Sequence, residues 1–419
     1  MRYIKRSIED IVERTDRTFK CVLITGARQT GKSTMIRKLF PDRKYVSMDN
    51  PFTEEQARED PDLFMTLNAP PAVFDEVQRT PGLFRYIKIK CDEDERRGLY
   101  CLSGSQPFEL MRGVSESLSG RVGIVELGGL SLREITGDTF DKPFLPTPEY
   151  VSERARTAKA PDNLWNIIHR GSYPALKDDN VDWGTFYASY VKTYLERDVR
   201  ELSAVHNLDD FRRLMVAAAA RTGQMLNYSN MADDIGKDQT TVKNWISVLE
   251  ASGIVYLLEP YSASVLKRAV KTPKLYFRDT GLAAYLTRWL TPETLATGAM
   301  SGAFFETFVV SEILKSYANR GIDYRYCVSY YRGKDKRRVR TAGGITETES
   351  EIDIIIEENG VLYPIEIKKN ANVSADVTSA FKVLDEIDGK RRGMGAVVCT
   401  CPHPGRLREN IFQLPVWYI

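Results

Sequence analysis

Residues 26–33 read Gly26-Ala27-Arg28-Gln29-Thr30-Gly31-Lys32-Ser33, the pattern Gly-x-x-x-x-Gly-Lys-Ser/Thr of a phosphate-binding loop. Its flanks matter as much as the match. Cys21-Val22-Leu23-Ile24 before it is a short apolar run of β type, and Ser33 to Phe40 after it reads as a helix stopped by Pro41. A strand, a glycine-containing turn and a helix start are what the chemistry requires. Backbone N–H groups converge on phosphate oxygens, and the helix N-terminus adds a partial positive charge. The contacts are expected from Gly26, Ala27, Arg28, Gln29, Thr30, Gly31, Lys32, Ser33 and Thr34, with Lys32 on the β- and γ-phosphates and Ser33 on Mg²⁺.

At 419 residues the chain has room for about three domains. Its 42% hydrophobic and 28% charged residues are ordinary for a folded protein and supply more than one core. A net charge of +2 argues neither for nor against nucleic acid, so any DNA site must be a local patch. The six cysteines show no Cys-x-x-Cys spacing and the three histidines are scattered, which points to a reducing compartment and no zinc site. Residues Met1 to Asp10 are charged and lack an apolar centre, and no run of 18 apolar residues occurs. The expectation is a cytoplasmic protein without membrane contact.

To about residue 140 strands and helices alternate, which predicts a parallel α/β sheet. Ala72-Val73-Phe74-Asp75-Glu76 delivers two acids to the C-terminal end of a strand, where open α/β sheets place their ligands. Asp75 is expected to hold Mg²⁺ through water, and Glu76 to orient or deprotonate the attacking water. A third strand, Leu99 to Leu102, runs into Ser103-Gly104-Ser105-Gln106. That stretch either touches the γ-phosphate or the lytic water or is a plain serine-rich turn. Arg121 precedes a strand over Val122 to Leu127. It is either an arginine finger, for its own site or for a neighbouring subunit of a homo-oligomer, or a surface salt bridge.

On Gly26–Ser33, Val73–Glu76, Leu102–Ser105 and Leu118–Arg121, the chain resembles the AAA+ superfamily. More narrowly, it resembles prokaryotic ATPases that carry a C-terminal domain of unknown function. The likeness continues through Tyr194-Leu195-Glu196-Arg197-Asp198 into the last third. It implies a five-stranded sheet with ATP and Mg²⁺ at its C-terminal edge. No second-sensor arginine is evident after this core, which leaves fast turnover and a slow switch both open.

Residues 141–163, with Pro143, Pro146, Pro148 and Pro161, read as a boundary. Trp183 to Leu202 reads as a long amphipathic helix whose Trp183, Phe186, Tyr187, Tyr190 and Tyr194 form a core face. Helices over Asp210–Ala220, Ser229–Ile235 and Gln239–Ala251, then strands Ile254–Leu258 and Leu275–Phe277, suggest a winged helix. Its last helix would expose Gln239, Thr240, Lys243 and Asn244. Lys267, Arg268, Lys271 and Lys274 would add charge in the wing. Such a module binds DNA, or serves only packing or a protein partner.

Asn359-Gly360 is a strong two-residue hairpin signal. With it as the turn, Asp353 falls opposite Glu366 and Lys368 opposite Glu351, all on one face. Ile352, Ile354 and Ile356 would line the other face against Ile367, Ile365 and Tyr363. Opposed carboxylates repel, and a divalent metal would remove the penalty. Asp353 with Glu366-Ile367-Lys368 resembles the PD-(D/E)XK nuclease core, which implies Mg²⁺ or Mn²⁺ on Asp353 and Glu366 and a water placed by Lys368. The same resemblance makes Glu306 a helical third acid. Upstream, Arg332 to Arg340 holds six cations against one acid, either a phosphate-tracking run or a solvated loop.

The expected layout is an AAA+-like ATP-binding domain (1–140), a linker and helical segment (141–205), a winged-helix-like domain (206–295) and a restriction-endonuclease-like domain (296–419). The expected function is a Mg-ATP-dependent ATPase acting on or regulated by DNA. The alternative is an ATP-driven switch whose nuclease-like domain is inactive and binds a protein partner.

Overall fold

Along Cys21–Thr25 every residue is buried, and successive side chains go to opposite sides. Cys21 and Leu23 enter one core with Phe64, Phe74, Leu83 and Ile87, while Val22 and Ile24 enter another with Ile11, Val12, Met35 and Ile36. A strand covered on both faces reads as an unbroken apolar run, which is why it belongs to a parallel sheet. The computed structural model describes residues 3–105, 117–199, 207–262, 272–341 and 344–419; for 196–198, 334–341 and 344–349 it describes the backbone alone.

The N-terminal sheet is formed by β1 (Cys21–Thr25), β2 (Lys44–Ser47), β3 (Ala72–Asp75), β4 (Tyr100–Ser103) and β5 (Val122–Glu126), in the order β2-β3-β4-β1-β5. All pairings are parallel. Helix α1 (Glu9–Thr18) precedes β1, and α2 (Lys32–Leu39) follows the glycine loop. The expected elements are therefore present, with ends shifted by a residue or so.

In the middle, α3 (Trp183–Thr193) buries Tyr187 and Tyr190 in an aromatic cluster with Tyr173. The expected single helix to Leu202 is corrected: from Tyr194 to Val199 the backbone is a π-helix, and residues 200–206 lie outside those described. Then come α4 (Leu208–Ala219), α5 (Tyr228–Ile235) and α6 (Gln239–Ala251), each N-capped by an Asn or Asp side chain. Strands β6 (Gln224–Met225), β7 (Val255–Leu258) and β8 (Lys274–Phe277) form a small antiparallel sheet with β8 at its centre.

Helix α7 (Ser301–Ala318) is apolar around most of its circumference because it is covered on all sides. Beyond it lie β9 (Val328–Thr341), β10 (Gly344–Glu358), β11 (Val361–Ile367), β12 (Arg391–Arg392), β13 (Gly395–Cys399), β14 (Gly405–Arg408) and β15 (Ile411–Pro415). They form a mixed sheet in the order β14-β15-β13-β11-β10-β9, with β12 beside β11. One apolar core runs from Leu132 to Ile419, so α7, the middle helices and this sheet share an interior.

The hairpin turn is where the sequence puts it. Asn359 and Gly360 have φ of 50° and 77°, as a type I′ turn requires, and Glu358 pairs with Val361 and Ile354 with Ile365. The expected faces need one correction. The β9–β10 register shifts between Ile352 and Ile355. This irregularity re-aims Ile352, which packs with Ile355, Leu362 and Phe381 instead of with Ile354 and Ile356. The basic run is corrected too. It is not a loop but part of edge strand β9, with Arg332, Lys334 and Arg338 in register with Glu351, Glu349 and Glu347. Among the described residues no helix is long and apolar enough to cross a membrane.

Candidate functional site

The glycine loop leaves β1 at the sheet edge where β3 and β4 also end. Gly26 has φ +135°, and a Cβ there would lie 2.2 Å from the carbonyl oxygen of Leu127. Only glycine permits this crossing of backbones. Gly31, at φ +94°, caps α2. The Lys32 ammonium donates to the carbonyls of Gly26 and Ala27, both at 2.9 Å, and so sits inside the curl of the loop. Thr30 is buried and its hydroxyl donates to Ala27 O at 2.9 Å, while Gln29 and Thr34 are exposed. Arg6 braces the loop from outside. Its guanidinium donates to Thr30 O at 2.9 Å and Gly128 O at 2.8 Å and pairs with Glu134 at 3.2 Å. A cavity of about 610 Å³ adjoins this brace, with Tyr3, Ile4, Arg6, Ile135 and Phe140 in its wall.

Two acids stand at the same edge. Asp75 is buried, and its oxygens accept from Ser103 Oγ and from the Tyr45 hydroxyl. Burial and the bond to Asp75 push the Tyr45 phenol up to about 12, so it stays a donor. The Arg37 guanidinium lies over the Tyr45 ring, 4.1 Å from its centre. Glu76 accepts from Ser105 Oγ at 2.9 Å and from Gln78 Nε2. Its φ of +57° is uncommon outside glycine and costs on the order of 1–3 kcal/mol, a strain that is concentrated at functional positions. Ser103 and Ser105, left open by the sequence between a γ-phosphate or lytic-water contact and a plain turn, hold Asp75 and Glu76 here. Sequence reasoning missed Tyr45 and Arg6, whose roles come from distant segments.

Arg121 stands elsewhere in its own chain. It precedes β5, at the opposite edge from the loop, roughly 15 Å away along the strands. Its guanidinium pairs with Asp92 at 2.5 Å and donates to Ser119 O. The finger for its own site is thereby corrected to a surface salt bridge.

The C-terminal acids also meet. Glu306 on α7, Glu351 and Asp353 on β10, and Glu366 on β11 are brought together, but around a lysine. Lys274 of β8 lies 2.5 Å from Glu351, 3.4 Å from Glu306 and 3.8 Å from Asp353. It was expected on an exposed wing; it is 3% exposed. Lys267, Arg268 and Lys271 lie outside the described residues. Tyr276 donates to Glu306 at 2.7 Å, and Ile367 N–H donates to Asp353 at 2.8 Å. Lys368, expected against Glu351, instead donates to Glu366 at 2.6 Å. Burial, then repulsion from Asp353, pushes the Glu306 carboxyl up to about 7 and that of Glu366 up to about 8. Burial also opposes charge on Lys274, but Glu306, Asp353 and Glu351 more than offset it and hold its pKa above the ordinary lysine value.

Two of the acids expected to hold a metal, Glu306 and Asp353, are taken up by the Lys274 ammonium. Among the described residues no group of three such ligands is placed to hold a metal ion. An ammonium, that of Lys274, lies among the carboxylates.

The fold and the loop define a P-loop ATPase of the AAA type. Residues 18–136 match the family described as AAA domain. Residues 161–293 match a domain of unknown function, DUF8612, and residues 345–419 another, DUF4143. The chain thus carries an AAA-type ATPase domain with a C-terminal DUF4143 domain. It is 28% identical over 367 residues to uncharacterized proteins of Mycobacterium bovis and Mycobacterium tuberculosis, covering 87% of this chain and 74% of theirs. A Walker-type ATPase of Pyrococcus abyssi is 15% identical, with a TM-score of 0.42, over 68% of this chain and 96% of that one.

Proposed function

We propose that the chain binds and hydrolyses Mg-ATP at the edge where β1, β3 and β4 end. The observation that carries this is the bracing of Asp75 and Glu76 by four polar side chains beside the loop that holds Lys32. The residues fit the cation: Ser33 in the first turn of α2 and Asp75 at the end of β3 offer hard oxygen donors. Mg²⁺ held there supplies charge neutralisation at the β- and γ-phosphates. Lys32 contacts those phosphates, and Glu76 orients and accepts a proton from the attacking water. An ATPase assay on wild type and Lys32→Ala tests this; equal turnover in both would overturn it.

The remaining parts act as the output of that ATPase. In this reading 206–295 is a winged-helix-like module. Gln239, Thr240, Lys243 and Asn244 of α6 are exposed, an open helix face for DNA or for a protein partner. Stimulation of turnover by DNA selects the first. The C-terminal sheet is read as nuclease-like, with Asp353, Glu366 and Lys368 in the places that fold uses. Lys274 among the acids favours the second function, an ATP-driven switch whose nuclease-like domain does not cleave as arranged. Cleavage of linear, supercoiled or single-stranded DNA by wild type but not by Asp353→Ala would reverse that preference.

A further inference from the structure

The acids of the C-terminal sheet come from α7, β10 and β11, whereas the cation among them comes from the middle sheet. Lys274 contacts three carboxylates and lies 5.5 Å from the centre of the Tyr330 ring. An ammonium so buried is tolerated only because its charge is paired. The converse also holds: negative charge on Glu306, Asp353 and Glu366 together is unfavourable, and a nearby cation offsets it. One further carboxylate oxygen is not used. Oε2 of Glu366 is buried and has no hydrogen-bond partner, while Oε1 is taken by Lys368. Glu366 is only 8% exposed. A buried acceptor left open beside two other carboxylates is a ligand position that the lysine, engaged with the other three acids, does not fill.

We propose that Lys274 is a built-in competitor for a divalent metal ion, and that Glu306, Asp353 and Glu366 become a metal site when its ammonium is withdrawn. The inference rests on the reading of the C-terminal sheet above for which acids matter, and adds what controls them. Glu306 and Asp353 serve either cation, so lysine and metal compete for them. A hard divalent ion such as Mg²⁺ or Mn²⁺ suits an all-oxygen set. Lys368 stays on Glu366 in both states.

The test is Mn²⁺ binding by the full chain without nucleotide, followed by the electron paramagnetic resonance signal of free Mn²⁺. Lys274→Met should bind one Mn²⁺ at least tenfold more tightly than wild type. Adding Asp353→Asn to Lys274→Met should abolish the gain, and Lys274→Arg should bind as wild type does. If Lys274→Met does not fold in metal-free buffer, the readout is recovery of its native circular dichroism on adding Mn²⁺. No gain in affinity by a folded Lys274→Met, or no recovery by an unfolded one, overturns the proposal. Occupancy is read separately from DNA cleavage. A metal-loaded but inert Lys274→Met would sink the nuclease reading and leave this one standing. Wild type that cleaves DNA and binds Mn²⁺ as tightly as the variant would do the reverse.

Discussion

The hydroxyl of Tyr45, on β2, donates to Oδ2 of Asp75, on the neighbouring strand β3. The two residues are 30 positions apart and meet because the strands are parallel and in register, with Ser47 beside Asp75. Arg37 stacks over the Tyr45 ring at 4.1 Å, so Phe at this position keeps the packing and loses only the hydroxyl. A hydrogen bond to a charged group contributes about 1.5–3 kcal/mol. Tyr45→Phe should therefore lower kcat for ATP roughly 10-fold or more, with a smaller change in KM. Steady-state kinetics across a range of Mg²⁺ concentrations checks this. An unchanged kcat would show that Asp75 needs no such brace.

Gly26→Ala should damage the loop without touching any charged group. The added methyl meets the Leu127 carbonyl at 2.2 Å, and its backbone would be held at φ +135°. Strain of this kind costs on the order of 1–3 kcal/mol. The expected result is a lower unfolding midpoint together with loss of nucleotide binding, measured by urea titration and by a fluorescent ATP analogue.

Arg154 has no exposed surface. It pairs with Asp138 at 2.7 Å and donates to the carbonyls of Trp417 at 2.7 Å and Tyr418 at 3.1 Å. It thus fastens the last residues to the helix over Pro148–Thr157. Arg154→Met leaves Asp138 buried without its ion-pair partner and should cost about 3–5 kcal/mol. Denaturant unfolding monitored by tryptophan fluorescence reads the loss and also reports on Trp417.

Lys177 gives a dependence on pH. Burial, which outweighs the attraction of Asp279, lowers its pKa to about 8, and its ammonium donates to Gly171 O at 3.1 Å. A lysine whose folded pKa is depressed favours the fold most when neutral. Its contribution is present above the unfolded value of about 10.4 and is lost as the pH falls through about 8. Wild type should therefore gain stability between pH 8 and pH 10 relative to Lys177→Met. Urea midpoints for both proteins at these two pH values check the sign, and parallel curves would refute it.

Much of this architecture is legible in the chain. The loop at Gly26–Ser33 is local in sequence, and so is the turn at Asn359-Gly360, whose positive φ values fix the register of β10 and β11. Five buried residues in β1 announce a strand covered on both faces. What was not legible depends on distance or on irregularity. The shift between Ile352 and Ile355 leaves no mark in an alternating pattern, yet it moves Ile352 to another core and Lys368 away from Glu351. Lys274 sits in a cationic stretch and reads as surface charge. Its burial follows from α7 and β10 closing around it, which no spacing near residue 274 encodes. Arg121 has an ambiguous local context, and only the direction of β5 decides its edge.

Strand β8 is four residues long. At its start Lys274 is seated among the C-terminal carboxylates, and just past its end Arg278 reaches Glu126, the last residue of β5. The next residue, Leu127, is the one that Gly26 of the phosphate loop crosses. Extended backbone of this length spans about 13 Å and does not stretch. The two ionic anchorages therefore cannot relax independently: a displacement along the strand that loosens one must load the other. The protein has in effect a short tie-rod between its nucleotide edge and its acidic pocket, and the travel available to that rod bounds how far either end can rearrange alone.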